Sequence, residues 1–207
     1  DGGALSISSV EDLIYPALFV IAGFIAILSH EMGHALVGRR LGGGQQTIVL
    51  ELFGGLTSSH GMQLTRGGRA LMILAGPMMT LLLGIISLWL TWNIVAPVMA
   101  SHNLDFWDLA ISPFTAALIS PKLYILSCLI MIGEWWTLLN LLPIYPLDGG
   151  QLIAQYIRSP RKVFMTGFIT AILIGLLSFQ LFHGYFIPIF MALFAYSNYR
   201  EYKNAPF

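Results

Sequence analysis

One stretch decides the fold of this chain: Leu13-Ile-Tyr-Pro-Ala-Leu-Phe-Val-Ile-Ala-Gly-Phe-Ile-Ala-Ile-Leu-Ser29-His30-Glu31-Met32-Gly33-His34. Its uncharged part, continued as helix toward Gly38, is long enough to cross a membrane. The two histidines are four residues apart, so on a helix they lie about 40° apart around the axis. One face can therefore present two imidazoles to a metal ion, while Glu31 reaches a water on that metal.

The composition of the whole chain indicates a location in lipid. Of its 207 residues, 57 % are apolar and 10 % are charged, whereas a soluble domain carries roughly 25 % charged residues. The net charge is zero and no basic run is present, so we expect no nucleic-acid partner.

The single cysteine, Cys128, cannot form an intrachain disulfide. The first twelve residues lack the basic region of a signal peptide, so we expect the first apolar run to be retained.

The uncharged runs predict about five transmembrane helices, over residues 13–38, 69–96, 121–157, 163–182 and 185–199. The third span contains Asn140-Leu-Leu-Pro-Ile-Tyr-Pro-Leu-Asp148-Gly-Gly150, where two prolines and a glycine pair interrupt a regular helix. We expect helix to about residue 140, extended backbone to about 147, and a second half-helix from 148 to about 157. Irregular backbone at membrane depth is tolerated only against protein or a water-filled cavity, so the break predicts a cavity.

The basic residues predict the orientation of these spans. If the spans alternate, nine of the ten basic residues fall on one side, and only Lys122 falls on the other. Those nine are Arg39, Arg40, Arg66, Arg69, Arg158, Arg161, Lys162, Arg200 and Lys203. Because lysine and arginine mark the cytoplasmic side, we expect the N-terminus outside and the C-terminus in the cytoplasm, in the inner membrane of a prokaryote.

This topology predicts that three ionisable residues meet. His30 and His34 fall in the later half of the first span, and Asp148 falls in the later part of the third, which runs in the same direction. A charge without a partner at that depth costs several kcal/mol, so convergence is the favourable arrangement. Two neutral imidazoles and one carboxylate leave a fourth position for water, which is the ligand count of a catalytic zinc site.

The chain resembles the site-2 proteases, the intramembrane zinc metalloproteases of peptidase family M50. The shared motifs are His30-Glu31-x-x-His34, Phe53-Gly54-Gly55, Ala75-Gly76-Pro77 and the segment from Asn140 to Gly150. The resemblance implies an all-α polytopic membrane fold in one domain over residues 1–207, with no segment long enough for a PDZ or CBS domain. It also implies Zn²⁺ as cofactor, His30, His34 and Asp148 as its ligands, and Glu31 as the catalytic base.

The resemblance and the loop between the first two spans together predict how substrate binds. Residues 45–64 have the composition of a β-hairpin or re-entrant loop on the cytoplasmic side. An exposed strand edge there could pair with an unwound substrate segment, so Phe53, Gly54 and Gly55 are candidate substrate-binding residues. By resemblance, Asn140 contacts substrate near the scissile bond. The expected partners are the lipid bilayer, membrane proteins with a transmembrane segment, and a possible protein that gates access.

The sequence departs from the family pattern at two places. Relatives commonly carry a further span before the one that bears the histidines, whereas about twelve polar residues precede it here. Some relatives have an asparagine where this chain has Thr80, so the role of that position is left open.

Each candidate residue also has a reading that involves no catalysis. The histidines could be core residues in a polar pocket, Asp148 could be a helix N-cap, and Asn140 could bond backbone freed by the prolines. Glu134 and His60 could be functional, or simply hydrogen-bonded and solvated side chains. For the whole protein, two alternatives stay open: a catalytically silent relative that binds membrane helices, and a metal transporter or sensor.

Overall fold

The structure, a computed structural model, describes residues 13–42, 44–51, 54–60, 64–102 and 112–206. This part of the chain forms seven helices and one antiparallel hairpin. In order these are α1 (Ile14–Gly42), β1 (Gln45–Glu51), β2 (Gly54–His60), α2 (Arg66–His102), α3 (Pro113–Ala117), α4 (Pro121–Asn140), α5 (Asp148–Ala154), α6 (Pro160–Phe182) and α7 (Phe186–Asn204).

Within the described ranges, four helices are long and apolar enough to cross a membrane: α1, α2 as far as Ala96, α4 and α6. Large apolar side chains on them stay exposed, such as Val20 at 68 % and Leu176 at 64 %. A soluble protein would bury more of them, whereas in a membrane they face lipid. The predicted all-α membrane class is confirmed. The predicted fifth span, α7, is not among these four helices because its C-terminal part is polar. That α7 crosses the membrane therefore stays a prediction.

Serine-proline pairs set the start of three helices. Ser112 precedes α3, Ser120 precedes α4 and Ser159 precedes α6, each followed by proline at the first helical position. Proline is favoured there because its fixed φ suits the helix. It also lacks the backbone N–H, which at this position would find no acceptor within the helix. The hydroxyls of Ser112 and Ser120 each accept a hydrogen bond, at 3.3 Å, from the N–H three residues later. The helix boundaries are therefore encoded locally.

Helices α1, α2 and α4 pack on one another, whereas α6 and α7 pack chiefly on each other and on the segment between α4 and α5. At the crossing of α1 and α2, a side chain on Gly33 would collide with the carbonyl group of Ala75. Small residues allow membrane helices this close approach. The crossing places the histidine-bearing turn of α1 directly against α2.

The predicted break in the third span lies between α4, which ends at Asn140, and α5, which begins at Asp148. The Leu147 N–H donates to the carbonyl of Ile144 at 2.8 Å and closes a turn. Gly149 and Gly150 rest on the backbone of residues 141–145, where any side chain would collide. The second half-helix ends at Ala154, earlier than the expected position of about 157, and Pro160 begins α6 after a short connection.

Buried hydroxyl groups join α2 to α4. Thr80 is fully buried, and its Oγ1 lies 2.9 Å from Oγ1 of Thr137 and 3.0 Å from the carbonyl oxygen of Pro77. Hydrogen bonds between helices add to packing in a membrane, where lipid supplies no competing partner. Thr80 therefore has a structural role at the position that the sequence left open.

We expect Thr80→Val to lower the free energy of unfolding by about 0.6 kcal/mol, and by no more than about 1.7 kcal/mol, because it removes this link between helices. Thr91→Val is the matched control. Thr91 is equally buried on α2, but its Oγ1 donates at 2.9 Å to the backbone carbonyl of Ser87 on the same helix. Unfolding in detergent measures both variants. Equal losses would show that the bond from Thr80 to α4 contributes nothing.

Candidate metal centre

Two buried histidines on α1 form one side of the candidate site. His30 and His34 are one helical turn apart, with their rings edge to face and their centroids 4.7 Å apart. Their Nε2 atoms are 3.1 Å apart. The helix therefore aims two imidazole nitrogens at one point.

Asp148 brings a carboxylate to the same point from the broken span. Its Oδ2 lies 3.0 Å from Nε2 of His30 and 3.4 Å from Nε2 of His34. Leu147 occupies the N-cap position of α5, and Asp148 is the first helical residue. The suggestion that Asp148 serves as the N-cap is therefore wrong, because its carboxylate turns toward the imidazoles.

The three donor atoms fit a zinc ion. Zinc bonds nitrogen and oxygen ligands at about 2.0–2.2 Å in tetrahedral geometry, which places neighbouring ligand atoms about 3.3–3.5 Å apart. The observed separations of 3.0, 3.1 and 3.4 Å are close to that value. Oδ2 of Asp148 is buried, and Nε2 of both histidines lies within 3.4 Å of it. A buried carboxylate oxygen between two imidazole nitrogens is suited to a shared cation.

A backbone carbonyl fixes the tautomer of His34. Its Nδ1 lies 2.9 Å from the carbonyl oxygen of Met72 on α2. Because a carbonyl can only accept, Nδ1 carries the hydrogen and Nε2 keeps a lone pair toward the point where the three groups meet. Histidine ligands of metals are commonly oriented in this way by a second hydrogen bond.

Gly76 on α2 leaves the space that the imidazoles need. A Cβ at this position would collide with the ring of His34 and lie 2.9 Å from Nε2 of His30. The Ala75-Gly76-Pro77 motif therefore has a steric role, because only a residue without a side chain lets α2 pass beside the site.

Glu31 lies in the same cluster. It is buried, and a carboxylate oxygen lies within 4.8 Å of one ring nitrogen of each histidine. A separation of up to 4.8 Å between these atoms is compatible with direct ligation of a metal ion by Glu31 and with contact through one water. Asp148 Oδ2 lies within 3.4 Å of Nε2 of both histidines, so Asp148 is the stronger candidate for the third ligand.

A cavity of about 620 Å³ opens from the metal centre. Asn140 lines it, and the Asn140 Nδ2 donates to the carbonyl of Trp136 at 2.9 Å. The cavity predicted from the broken span is present. Its wall comprises His30, Glu31, His34, Met72, Ile73, Trp136, Leu139, Asn140, Tyr145, Pro146, Leu147, Asp148, Gln151, Phe190, Leu193, Phe194 and Ser197.

The other candidate residues are not gathered at this point. Gly54 and Gly55 begin β2, opposite Glu51 and Leu50, and Phe53 lies outside the described residues. Their role in substrate binding stays a prediction. Glu134 is exposed on α4 and is not part of the wall given above. His60 is the last residue of β2.

Sequence reasoning missed two parts of the site. The Met72 carbonyl is a backbone group, which no residue pattern can reveal. Helix α7 supplies part of the cavity wall through Phe190, Leu193, Phe194 and Ser197. These residues have the composition of any membrane helix, so only their position in space identifies them.

Fold and site together define a polytopic membrane protein with a buried centre suited to a metal ion. The profile of peptidase family M50 matches residues 18–182, and the chain belongs to this family. The resemblance to the site-2 proteases is thereby confirmed. A site-2 protease from Methanocaldococcus jannaschii has the same fold, with a TM-score of 0.58 and 24 % identity, over 90 % of this chain and 78 % of that one.

Two relatives are similar in sequence. A zinc metalloprotease of Methanocaldococcus jannaschii is 27 % identical over 203 residues, which are 93 % of this chain and 51 % of the relative. Rip3 of Mycobacterium tuberculosis is 31 % identical over 132 residues, which are 64 % of this chain and 29 % of Rip3. The chain thus spans about half the length of the first relative and less than a third of the second. The first relative is named as a zinc metalloprotease, and the donor set of this chain itself suits Zn²⁺ as the cofactor.

We expect Gly76→Ala to weaken zinc binding by about 10- to 100-fold, the loss typical when the surroundings of a ligand histidine are disturbed. The added methyl group would displace the imidazoles, whereas alanine itself favours the helix. Gly84→Ala on the same helix is the control, because a methyl group there meets no atom of the described chain within 4 Å. Competition with a chelator measures the affinity. Equal zinc binding in both variants would contradict the steric role of Gly76.

Proposed function

We propose that this chain is a zinc endopeptidase that hydrolyses peptide bonds within or next to the transmembrane segments of other membrane proteins. One observation carries the proposal: Oδ2 of Asp148 lies within 3.4 Å of Nε2 of both His30 and His34 inside an apolar helical membrane fold. Membership of peptidase family M50 supports the same chemistry.

His30, His34 and Asp148 hold the zinc ion in this proposal. Zinc, when bound, acts as a Lewis acid on the scissile carbonyl and lowers the pKa of water to about 7. The hydrogen bond from His34 Nδ1 to the Met72 carbonyl keeps Nε2 available as a ligand atom. The buried setting strengthens these electrostatic interactions because little water screens them.

Glu31 acts as the general base. Its carboxylate takes a proton from the attacking water and returns it to the leaving amine. Glu31 follows His30 on α1, and its carboxylate lies within 4.8 Å of one ring nitrogen of each histidine, which supports this role. General acid–base catalysis of this kind contributes about 10²- to 10⁴-fold in rate.

The cavity supports a peptide segment as the substrate. A helical segment keeps its carbonyl groups in its own hydrogen bonds, so the substrate must unwind before cleavage. The edge of the β1–β2 hairpin can pair with the unwound strand, and Gly54 and Gly55 begin β2. Phe53, for which the sequence predicts the same role, lies outside the described residues. Asn140 lines the same cavity as Asp148, which supports its proposed contact with the substrate backbone. A partner protein that gates entry is part of the proposal.

In the cell, we place the protein in the inner membrane of a prokaryote, with a cytoplasmic C-terminus. Regulated cleavage of membrane proteins and clearance of signal peptides are both reactions of this class. A catalytically silent relative would bind such helices without cutting them. A transporter would need further metal sites along a path. Among the described residues one such group is found, His30, Glu31 and His34, whose ligand atoms lie within 4.8 Å of one another.

We expect Glu31→Gln to reduce cleavage of a test substrate with one transmembrane segment by at least about 10²-fold while zinc remains bound. Asp148→Ala should lose both zinc and activity. Glu134→Gln removes an exposed carboxylate of α4 and should change neither. Zinc content by mass spectrometry and a gel-based cleavage assay measure the three variants. A wild-type protein that is fully loaded with zinc, binds this substrate and never cleaves it would establish the silent relative instead.

We also expect Lys203→Cys, in a Cys128→Ser background, to react with a membrane-impermeant maleimide only in inverted vesicles. The reason is the positive-inside distribution of the basic residues. Lys122→Cys is the matched control and should react in intact cells, because Lys122 begins the third predicted span. The reverse labelling pattern would overturn the proposed orientation.

A further inference from the structure

Asn198 is a buried amide on α7. It is 1 % exposed. Its Nδ2 donates to the carbonyl of Tyr145 at 2.6 Å and to the carbonyl of Phe194, on its own helix, at 2.9 Å. An amide NH₂ group has two hydrogens, so both are used. A buried polar side chain in a membrane helix is costly and often functional, which makes the bond to another segment informative.

Tyr145 lies in the turn that delivers Asp148. The turn is closed by the hydrogen bond from the Leu147 N–H to the Ile144 carbonyl, and α5 starts at the next residue. The Gln151 N–H in turn donates to the Leu147 carbonyl at 2.9 Å. The Tyr145 carbonyl, which accepts the bond from Asn198, therefore lies inside this closed turn, three residues before Asp148 at the start of α5.

The α6–α7 pair meets the rest of the described chain chiefly at this segment. Ile144 is fully buried and packs with Ala171 of α6 and with Met191 and Ala195 of α7. Apolar packing of this kind holds the surfaces together without fixing the direction of one backbone group. The hydrogen bond from Asn198 supplies that direction.

Gly167 on α6 provides the space for this amide. A Cβ at Gly167 would collide with Oδ1 of Asn198 and lie 2.8 Å from its Cγ and 3.3 Å from the backbone nitrogen of Tyr145. Three segments thus meet at the Asn198 amide: α6, α7 and the turn before α5.

We propose that Asn198 is a positioning residue for the metal centre: by holding the Tyr145 carbonyl, it sets the carboxylate of Asp148 against the two imidazoles. This inference rests on the proposed function, in which Asp148 is a zinc ligand. It makes α7 part of the zinc site, although α7 carries none of the proposed ligands.

The first test compares Asn198→Leu with Met191→Ala. Leucine keeps the approximate volume and removes the donor, whereas Met191→Ala removes packing from the same α6–α7 core, two turns earlier on α7. We expect zinc affinity, measured by chelator competition, to fall about 10- to 100-fold in Asn198→Leu, the range for groups that orient metal ligands. Met191→Ala should lower thermal stability and leave zinc affinity unchanged. The visible absorption of the cobalt(II)-substituted protein, which depends on ligand geometry, should change only in Asn198→Leu.

The second test leaves Asn198 in place and decides the matter if Asn198→Leu does not fold. Gly167→Ala displaces the amide from the side of α6. Its matched control is Gly175→Ala on the same helix, where a Cβ would touch Met191 at 3.3 Å and Pro188 at 3.9 Å. Both variants disturb the packing of α6 against α7, but only Gly167→Ala should lower zinc affinity and change the cobalt spectrum.

Asp148→Ala distinguishes a failure of the ligand assignment of Asp148 from a failure of the positioning role of Asn198. If Asp148→Ala binds zinc as tightly as the wild type, the ligand assignment fails, and the inference on Asn198 fails with it. If Asp148→Ala loses zinc while Asn198→Leu and Gly167→Ala bind it as tightly as their controls, the inference alone is overturned.

Discussion

The structure depends on the meeting of one carboxylate and two imidazoles in an apolar interior. His30 and His34 come from one helix and Asp148 from another, and their donor atoms lie 3.0–3.4 Å apart. Apart from each other, these groups would be buried without partners, which costs several kcal/mol in a membrane. Together they suit a divalent cation, whose charge compensates the carboxylate. The helix crossings and the broken span bring these three side chains together, and the cavity opens beside them.

Backbone proximity makes the contact possible. Gly33 lets α1 approach Ala75 of α2, and Gly76 leaves room for the imidazoles. Gly149 and Gly150 let α5 fold back on the segment after α4. In water, apolar burial could drive such packing, but lipid is as apolar as the side chains. Close approach and hydrogen bonds between segments therefore have to hold the site together.

The cavity extends from the metal centre to helix α7. Residues of α7 form one part of its wall, and Asn198 on the same helix bonds to the turn before Asp148. A substrate that contacts this wall would touch the helix that orients the carboxylate. In the proposed function this arrangement matters because hydrolysis needs the substrate carbonyl, the base and the zinc ligands in fixed positions relative to one another.

The sequence by itself determined the membrane class, the break after Asn140 and the helical pairing of His30 with His34, because hydropathy, proline and a four-residue spacing are local properties. It also indicated that Asp148 would lie at the depth of the histidines. Only the tertiary structure decided the 3.0 Å approach of its carboxylate, the bond to the Met72 carbonyl and the contact of Asn198 with Tyr145. These contacts join segments that are distant in sequence. Two of them are made to backbone oxygens, which every residue possesses, so no residue pattern can predict them.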